Sequence, residues 1–201
     1  EVAAIIYRLV TGDINDNQVK IYADYNKFKD VSETAWYAGY VGFCANAEYI
    51  KGHNGYFYPM NKVTGYEALA MILRAVGYDQ AGEFSGSGWQ VRVASLSKQK
   101  HVTDTVSNDD FATTLNKAAT REVVAELLFK TAQIATVTYT PALGYSDKGN
   151  LLENGKNATL GQKNFGLWCE GVWKAVDKWG TPGYYWVKGG SHQWTRNSSG
   201  N

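Results

Sequence analysis

Side chains able to do chemistry are few in this sequence, and their spacing argues against most reactions. The three histidines, His53, His101 and His192, stand far apart and form no zinc-binding pattern. No glycine-rich phosphate loop and no serine nucleophile elbow is present. Asp109 and Asp110 are adjacent, so their carboxylates diverge and read as a solvated turn or helix cap. Asp13, Asn15, Asn17 and Asp24 fall at positions one, three, five and twelve of a calcium-loop spacing, but Gln18 replaces the glycine at position six and Lys20 the apolar residue at position eight, so a polar connection is the better reading. Cys44 lies among apolar neighbours as a buried structural thiol, and a bridge to distant Cys169 is the weaker alternative. Asn157 and Asn197 match glycosylation sequons that carry little meaning here. No catalytic residue, cofactor or metal is expected.

Binding chemistry is better represented. Arg121 follows Thr120 at the expected start of a helix, where the helix dipole disfavours a cation. Either a bound anion or a neighbouring carboxylate should meet its guanidinium. Trp36 and Trp89 each lead an apolar stripe, and two readings stand for them, core packing or an exposed stacking face.

The elements that position these residues recur along the chain. Residues 2–8, 68–74 and 124–130 share one pattern, apolar side chains three and four apart closing on a base, Arg8, Arg74 or Lys130. Thr64 and Thr120 stand as N-caps before the second and third copies, and Glu67 completes a capping box with Thr64. Upstream, Trp36, Tyr40, Phe43, Ala47 and Ile50 form one tryptophan-led stripe and Trp89, Val93 and Leu96 another. Between a leading and a closing helix, Gly52 to Pro59 turns the chain, with glycines permitting positive φ and Pro59 blocking further helix. Neither helix of such a unit can bury its face alone, so the units must stack.

In order, Phe28-Lys29-Asp30-Val31, Trp36-Tyr37-Ala38, Gly55-Tyr56-Phe57-Tyr58-Pro59 and Val63-Thr64-Gly65-Tyr66-Glu67-Ala68 resemble the S-layer homology pattern of Firmicutes-type cell-surface proteins. Gly88-Trp89 and Ala119-Thr120-Arg121-Glu122 carry it in a further unit. The expected organisation is a truncated first unit over 1–13, a linker over 14–27, a second unit over 28–78, a third over 79–135 and a separate segment over 136–201. The sequence opens at Glu1 inside a helical pattern, so the chain is expected to be part of a longer exported protein.

The resemblance implies a mainly α fold, helix-loop-helix units in a pseudo-threefold bundle, with cell-wall polysaccharide held in grooves between units. An arginine would pair two-pronged with a ketal carboxylate and a tryptophan would lie against a sugar face. Arg121 and Thr120 match the motif positions for arginine and threonine, and Trp36 and Trp89 the tryptophan position. Gly65-Tyr66 stands where the second unit should carry arginine, so Tyr66 substitutes there or that groove is inactive. The partner expected first is cell-wall polysaccharide. Other surface-layer proteins are a second class, reached through an assembly role, and a glycan-active enzyme with its catalytic domain elsewhere is a third reading.

A net charge of +1 provides no electrostatic case for nucleic acid or an anionic membrane, and no apolar run is long enough to span a bilayer. From Thr136 onward alternation, glycines and crowded aromatics (Trp168, Trp173 and Trp179 among them) predict short strands in a small β-rich C-terminal segment, with a loose exit from Arg196.

Overall fold

The computed structural model describes residues 1–106, 111–147, 159–165, 167–176 and 182–188. His192, Asp109, Asp110, Asn157 and the closing residues from Arg196 lie outside them. All three copies of the repeated pattern are helices: α1 (Val2–Thr11), α3 (Gly65–Ala75) and α6 (Arg121–Thr131). Between them lie α2 (Ala38–Asn46), α4 (Trp89–Gln99) and the short α5 (Phe111–Asn116). The tail holds hairpin β1–β2 (Val137–Thr140, Gly144–Asp147), helix α7 (Leu160–Phe165) and hairpin β3–β4 (Leu167–Val176, Pro182–Lys188), each hairpin antiparallel.

α3 occupies the centre. It buries Tyr66, Ala68, Leu69, Ala70, Ile72 and Leu73, more than one face, because α1, α4, α5 and α6 all pack on it. Its start is the expected capping box: Thr64 Oγ1 accepts from Glu67 N–H at 3.3 Å, and Thr64 N–H donates to Glu67 Oε2 at 2.8 Å. Thr120 caps α6 in the same way, accepting from Val123 N–H at 3.3 Å.

The closing helices run in one direction. Ala119 N–H donates to Val63 O (2.8 Å) and Gly65 N–H to Lys117 O (3.1 Å), tying the starts of α6 and α3 together. Arg121 pairs with Glu1 and so joins the starts of α6 and α1. At the opposite end Val137 N–H reaches Val76 O beyond α3, Gly161 N–H reaches Ala132 O beyond α6, and Asn164 Nδ2 donates to Leu9 O and Val10 O at the end of α1.

Two expectations need correction. The segment taken as a polar linker, 14–27, contains a 3-10 helix, Val19–Tyr25, packed along α2. The cause is Gly39-x-x-Gly42: a Cβ on Gly39 would stand 2.1 Å from Val19 O, and one on Gly42 1.9 Å from Tyr22 O, so only glycine admits this contact. α2 is therefore buried on two sides, and the single stripe read from Trp36 does not describe it. Trp36 itself precedes the helix in a turn and is 68% exposed, not core. Asp13, the first position of the calcium spacing, is engaged within the fold, accepting from Asn17 N–H (3.1 Å), Gln18 N–H (3.0 Å) and Tyr7 O–H (2.7 Å). Among the described residues no three acidic, histidine or cysteine side chains are placed to share a metal. Cys44 is a buried free thiol whose burial pushes it up to about 12, an uncharged core group.

The tail combines strands with a helix that alternation gave no sign of. It is also not fully separate: Val137 and Leu160 are buried in the same core as the helices. Among the described residues no helix is long and apolar enough to cross a membrane.

Candidate functional site

A groove of about 230 Å³ opens between the first turns of α1, the start of α2 and the loop ending at Met60. Ala3 and Ala4, small residues of α1, leave room for it, while Trp36, Tyr37, Tyr40, Phe57, Pro59 and Met60 form its other walls and Glu1 its edge. Trp36 stands edge-on to Tyr37 (5.5 Å, 88°) and to Tyr40 (6.2 Å, 68°), which fixes the indole while leaving most of it in solvent. Behind Tyr40, Arg8 makes a bidentate pair with Asp16 (3.0 and 2.6 Å) and lies over the Tyr40 ring at 5.5 Å. Burial and the Asp16 carboxylate raise the Tyr40 hydroxyl above its ordinary value, so it stays a neutral donor.

The far wall depends on a tight loop. His53 and Tyr56 exchange N–H···O bonds of 2.9 Å across Asn54-Gly55, both at positive φ (52° and 82°), an Asn-Gly hairpin turn. Phe57 turns inward against Phe28 (5.5 Å). Asp30, the aspartate of the Phe28-Lys29-Asp30-Val31 motif, accepts from Phe57 N–H (2.8 Å) and Tyr58 N–H (2.7 Å). Burial opposes the charge on Asp30, but those two bonds prevail and hold its carboxyl below the usual range.

The sequence-predicted residues divide into two groups. Trp36, Arg121 and Thr120 collect at one end of the molecule: Glu1 borders the Trp36 groove, and Arg121, 83% exposed by its side chain, pairs with that same Glu1. The guanidinium and carboxylate shift each other in the ordinary senses, Glu1 down and Arg121 up. Gly65, Tyr66 and Trp89 instead form a packed contact. A Cβ on Gly65 would meet Leu115 Cα and Cδ2 at 2.8 Å, Tyr66 is buried, and half-buried Trp89 meets its ring at 6.4 Å and 78°. The place where an arginine was expected is filled by α5 and the chain that follows it.

Sequence reasoning missed Tyr37, Tyr40 and Met60 as groove walls. Met60, 89% exposed directly after Pro59, had no periodicity to mark it. A larger cavity, about 310 Å³, lies at the other end between Lys51, Arg74, Asp79, Tyr49, Tyr78 and Lys163. Its buried charge is accounted for by the fold: fully buried Asp79 accepts from Arg74 Nε (2.6 Å), Lys51 Nζ (2.9 Å) and Phe84 N–H (2.6 Å), beside helix C-termini that favour cations. The groove, with its exposed indole and the Arg121–Glu1 pair at its edge, is the better candidate. Among its lining residues no nucleophile–base pair and no pair of carboxylates occurs.

Comparison with known proteins bears on the same region. The S-layer homology domain model matches residues 27–69, which hold Asp30, Trp36, the Asn-Gly loop and the Thr64 cap. The middle cell wall protein of Brevibacillus brevis is 33% identical over 104 residues, covering 51% of this chain and 9% of that protein. The surface layer protein of Brevibacillus choshinensis is 32% identical over 94 residues, 45% of this chain and 8% of its own length. The aligned part is thus under a tenth of either relative. No solved structure matches. The ordered motifs and the helices that carry them coincide with the match over 27–69, so the chain carries an S-layer homology domain there, and its likeness to cell-wall and surface-layer proteins indicates a secreted protein of the cell surface.

Proposed function

We propose that this chain attaches an exported protein to the cell wall by holding a wall polysaccharide in the groove between α1 and α2. The observation that carries the reading is Trp36: an indole 68% exposed, braced by Tyr37 and Tyr40, at the mouth of a groove that small alanines keep open. Burying that indole in solution would gain apolar area, and a sugar ring offers the flat C–H face that suits it. Arg121, on the same rim, is the anion anchor, and the Glu1 carboxylate it meets has the chemistry of the acidic substituent it would bind. Thr120 caps the helix that presents it. In this reading α1, α3 and α6 are the equivalent closing helices of three units in a pseudo-threefold bundle, and the α3 start, closed at Gly65 and Tyr66, takes no ligand.

An assembly role is favoured by a different observation. Ile14, Ile21 and Tyr25 are 63%, 61% and 54% exposed, apolar side chains suited to protein contact. Co-sedimentation of the chain with purified cell-wall sacculi, before and after hydrofluoric acid removes the polysaccharide, separates the two. Polysaccharide binding requires that sedimentation is lost on acid treatment and weakened by Trp36→Ala and Arg121→Ala. Sedimentation that survives the treatment would favour protein assembly.

A further inference from the structure

We infer that the tip of the Asn54-Gly55 loop is a second sugar subsite, in which Tyr56 and Tyr58 stack on the next residue of an acidic polysaccharide leaving the Trp36 groove and Lys29 meets its charge. The inference rests on the attachment reading and extends it from one sugar to a chain.

Tyr58 has φ of 59°, a conformation that a bulky side chain rarely adopts. Such strain persists only where surrounding structure over-determines it, and it gathers at ligand sites. Here the surrounding structure is specific: Asp30 accepts the Phe57 and Tyr58 N–H groups, Asn61 N–H donates to Tyr58 O at 3.0 Å, and Lys29 N–H donates to Gly55 O at 3.0 Å. What this achieves is visible in the rings. Tyr56 and Tyr58 lie 5.8 Å apart and only 31° from parallel, 38% and 44% exposed, while half-buried Phe57 between them packs inward on Phe28. Packing alone would not require two outward tyrosines to be aligned by a strained residue.

Two features identify the occupant. The first is continuity: Tyr58 adjoins Pro59 and Met60, both walls of the groove, so a polymer leaving the groove along this wall meets the tyrosines next. The second is charge. Lys29 Nζ sits 5.5 Å above the Tyr56 ring and has no carboxylate partner among the described residues, which suits an acidic sugar better than a neutral one.

The test uses polysaccharide released by hydrofluoric acid from walls of the producing bacterium, separated into long polymer and single repeating units, and titrated calorimetrically against the chain. The variant pairs Tyr56→Ala with Tyr58→Gly, since glycine keeps the positive φ without strain. Its affinity for long polymer should fall about tenfold, with affinity for the single repeat unchanged, whereas Trp36→Ala should weaken both. Lys29→Gln should flatten the salt dependence of polymer binding. The inference is overturned if the double variant binds polymer as tightly as wild type. It is also overturned if the variant loses self-association instead, which would make the tip a protein contact. Failure of wild type to bind either fraction would overturn the attachment reading and this one with it.

Discussion

Leu115 Cα stands 2.8 Å from where a side chain on Gly65 would begin, so α5 occupies the place where the resemblance led to an arginine being expected. The glycine is a fit to α5 and not an idle loss. Restoring the motif with Gly65→Arg should therefore damage the fold without adding binding. Even Gly65→Ala, which on helix propensity alone would stabilise, should cost about 1–3 kcal/mol through overpacking. Urea denaturation of both variants checks this, and a more stable alanine variant would mean that α5 yields at that contact.

The two tryptophans should separate cleanly. Trp36→Ala removes an exposed ring, and the unfolding free energy should change by no more than about 0.5 kcal/mol while sedimentation with sacculi falls. Trp89→Ala removes the ring against buried Tyr66 and should cost about 1–2 kcal/mol with binding retained in the folded fraction. Thermal melts beside binding assays decide the matter. Binding lost equally in both variants would place Trp89 in the ligand site.

How far the sequence could be read follows from what each residue must satisfy. Thr64, Glu67 and Thr120 were legible because a cap answers a local need, the free N–H groups of the next turn. The three closing helices were legible from period alone. Trp36 was misread as a helix position because its spacing to Tyr40 and Phe43 fits a stripe, although the helix starts at Ala38 and the turn before it leaves the ring outside. The 3-10 helix on α2 had a signal in Gly39-x-x-Gly42, but its meaning depends on what approaches those glycines, a tertiary fact. The Arg121–Glu1 pair joins residues 120 positions apart, beyond any local pattern.

Asp79 should set part of the acid limit of the fold. Burial disfavours its charge, but the Phe84 N–H, Arg74 and Lys51 prevail, so its carboxyl sits below the ordinary value. A depressed carboxylate stabilises the fold above its unfolded value, about pH 4, and that contribution is lost as pH falls through the folded value. Stability measured from pH 6 downward should therefore decline below about pH 4. In Asp79→Asn that decline should be shallower, from a starting stability lower by about 3 kcal/mol because Arg74, 12% exposed, loses its partner. An unchanged acid profile would assign the loss to other carboxylates, Asp30 first.

Asn164 caps α1 from 154 positions away, its single amide nitrogen donating to Leu9 O at 2.7 Å and Val10 O at 2.8 Å. Carbonyls in the last turn of a helix have no partner within it, and α1 has no following helix to shield them. The residue thus does at a distance what a C-cap does locally. Gly161 N–H bonding to Ala132 O fastens the same segment to the end of α6, and Leu160 fills the core between. Asn164→Ala should cost about 1–2 kcal/mol for the two bonds. Asn164→Asp, which keeps the shape but offers oxygens to oxygens beside a helix C-terminus, should cost more. Removing everything after residue 135 should destabilise further still, exposing Leu9 and Val10. Hydrogen exchange at the last turn of α1 reads the effect directly: its amides should exchange faster in Asn164→Ala, with those of α4 unchanged. Equal exchange in both helices would mean that the segment after the repeats stabilises the bundle as a whole and not through this clamp.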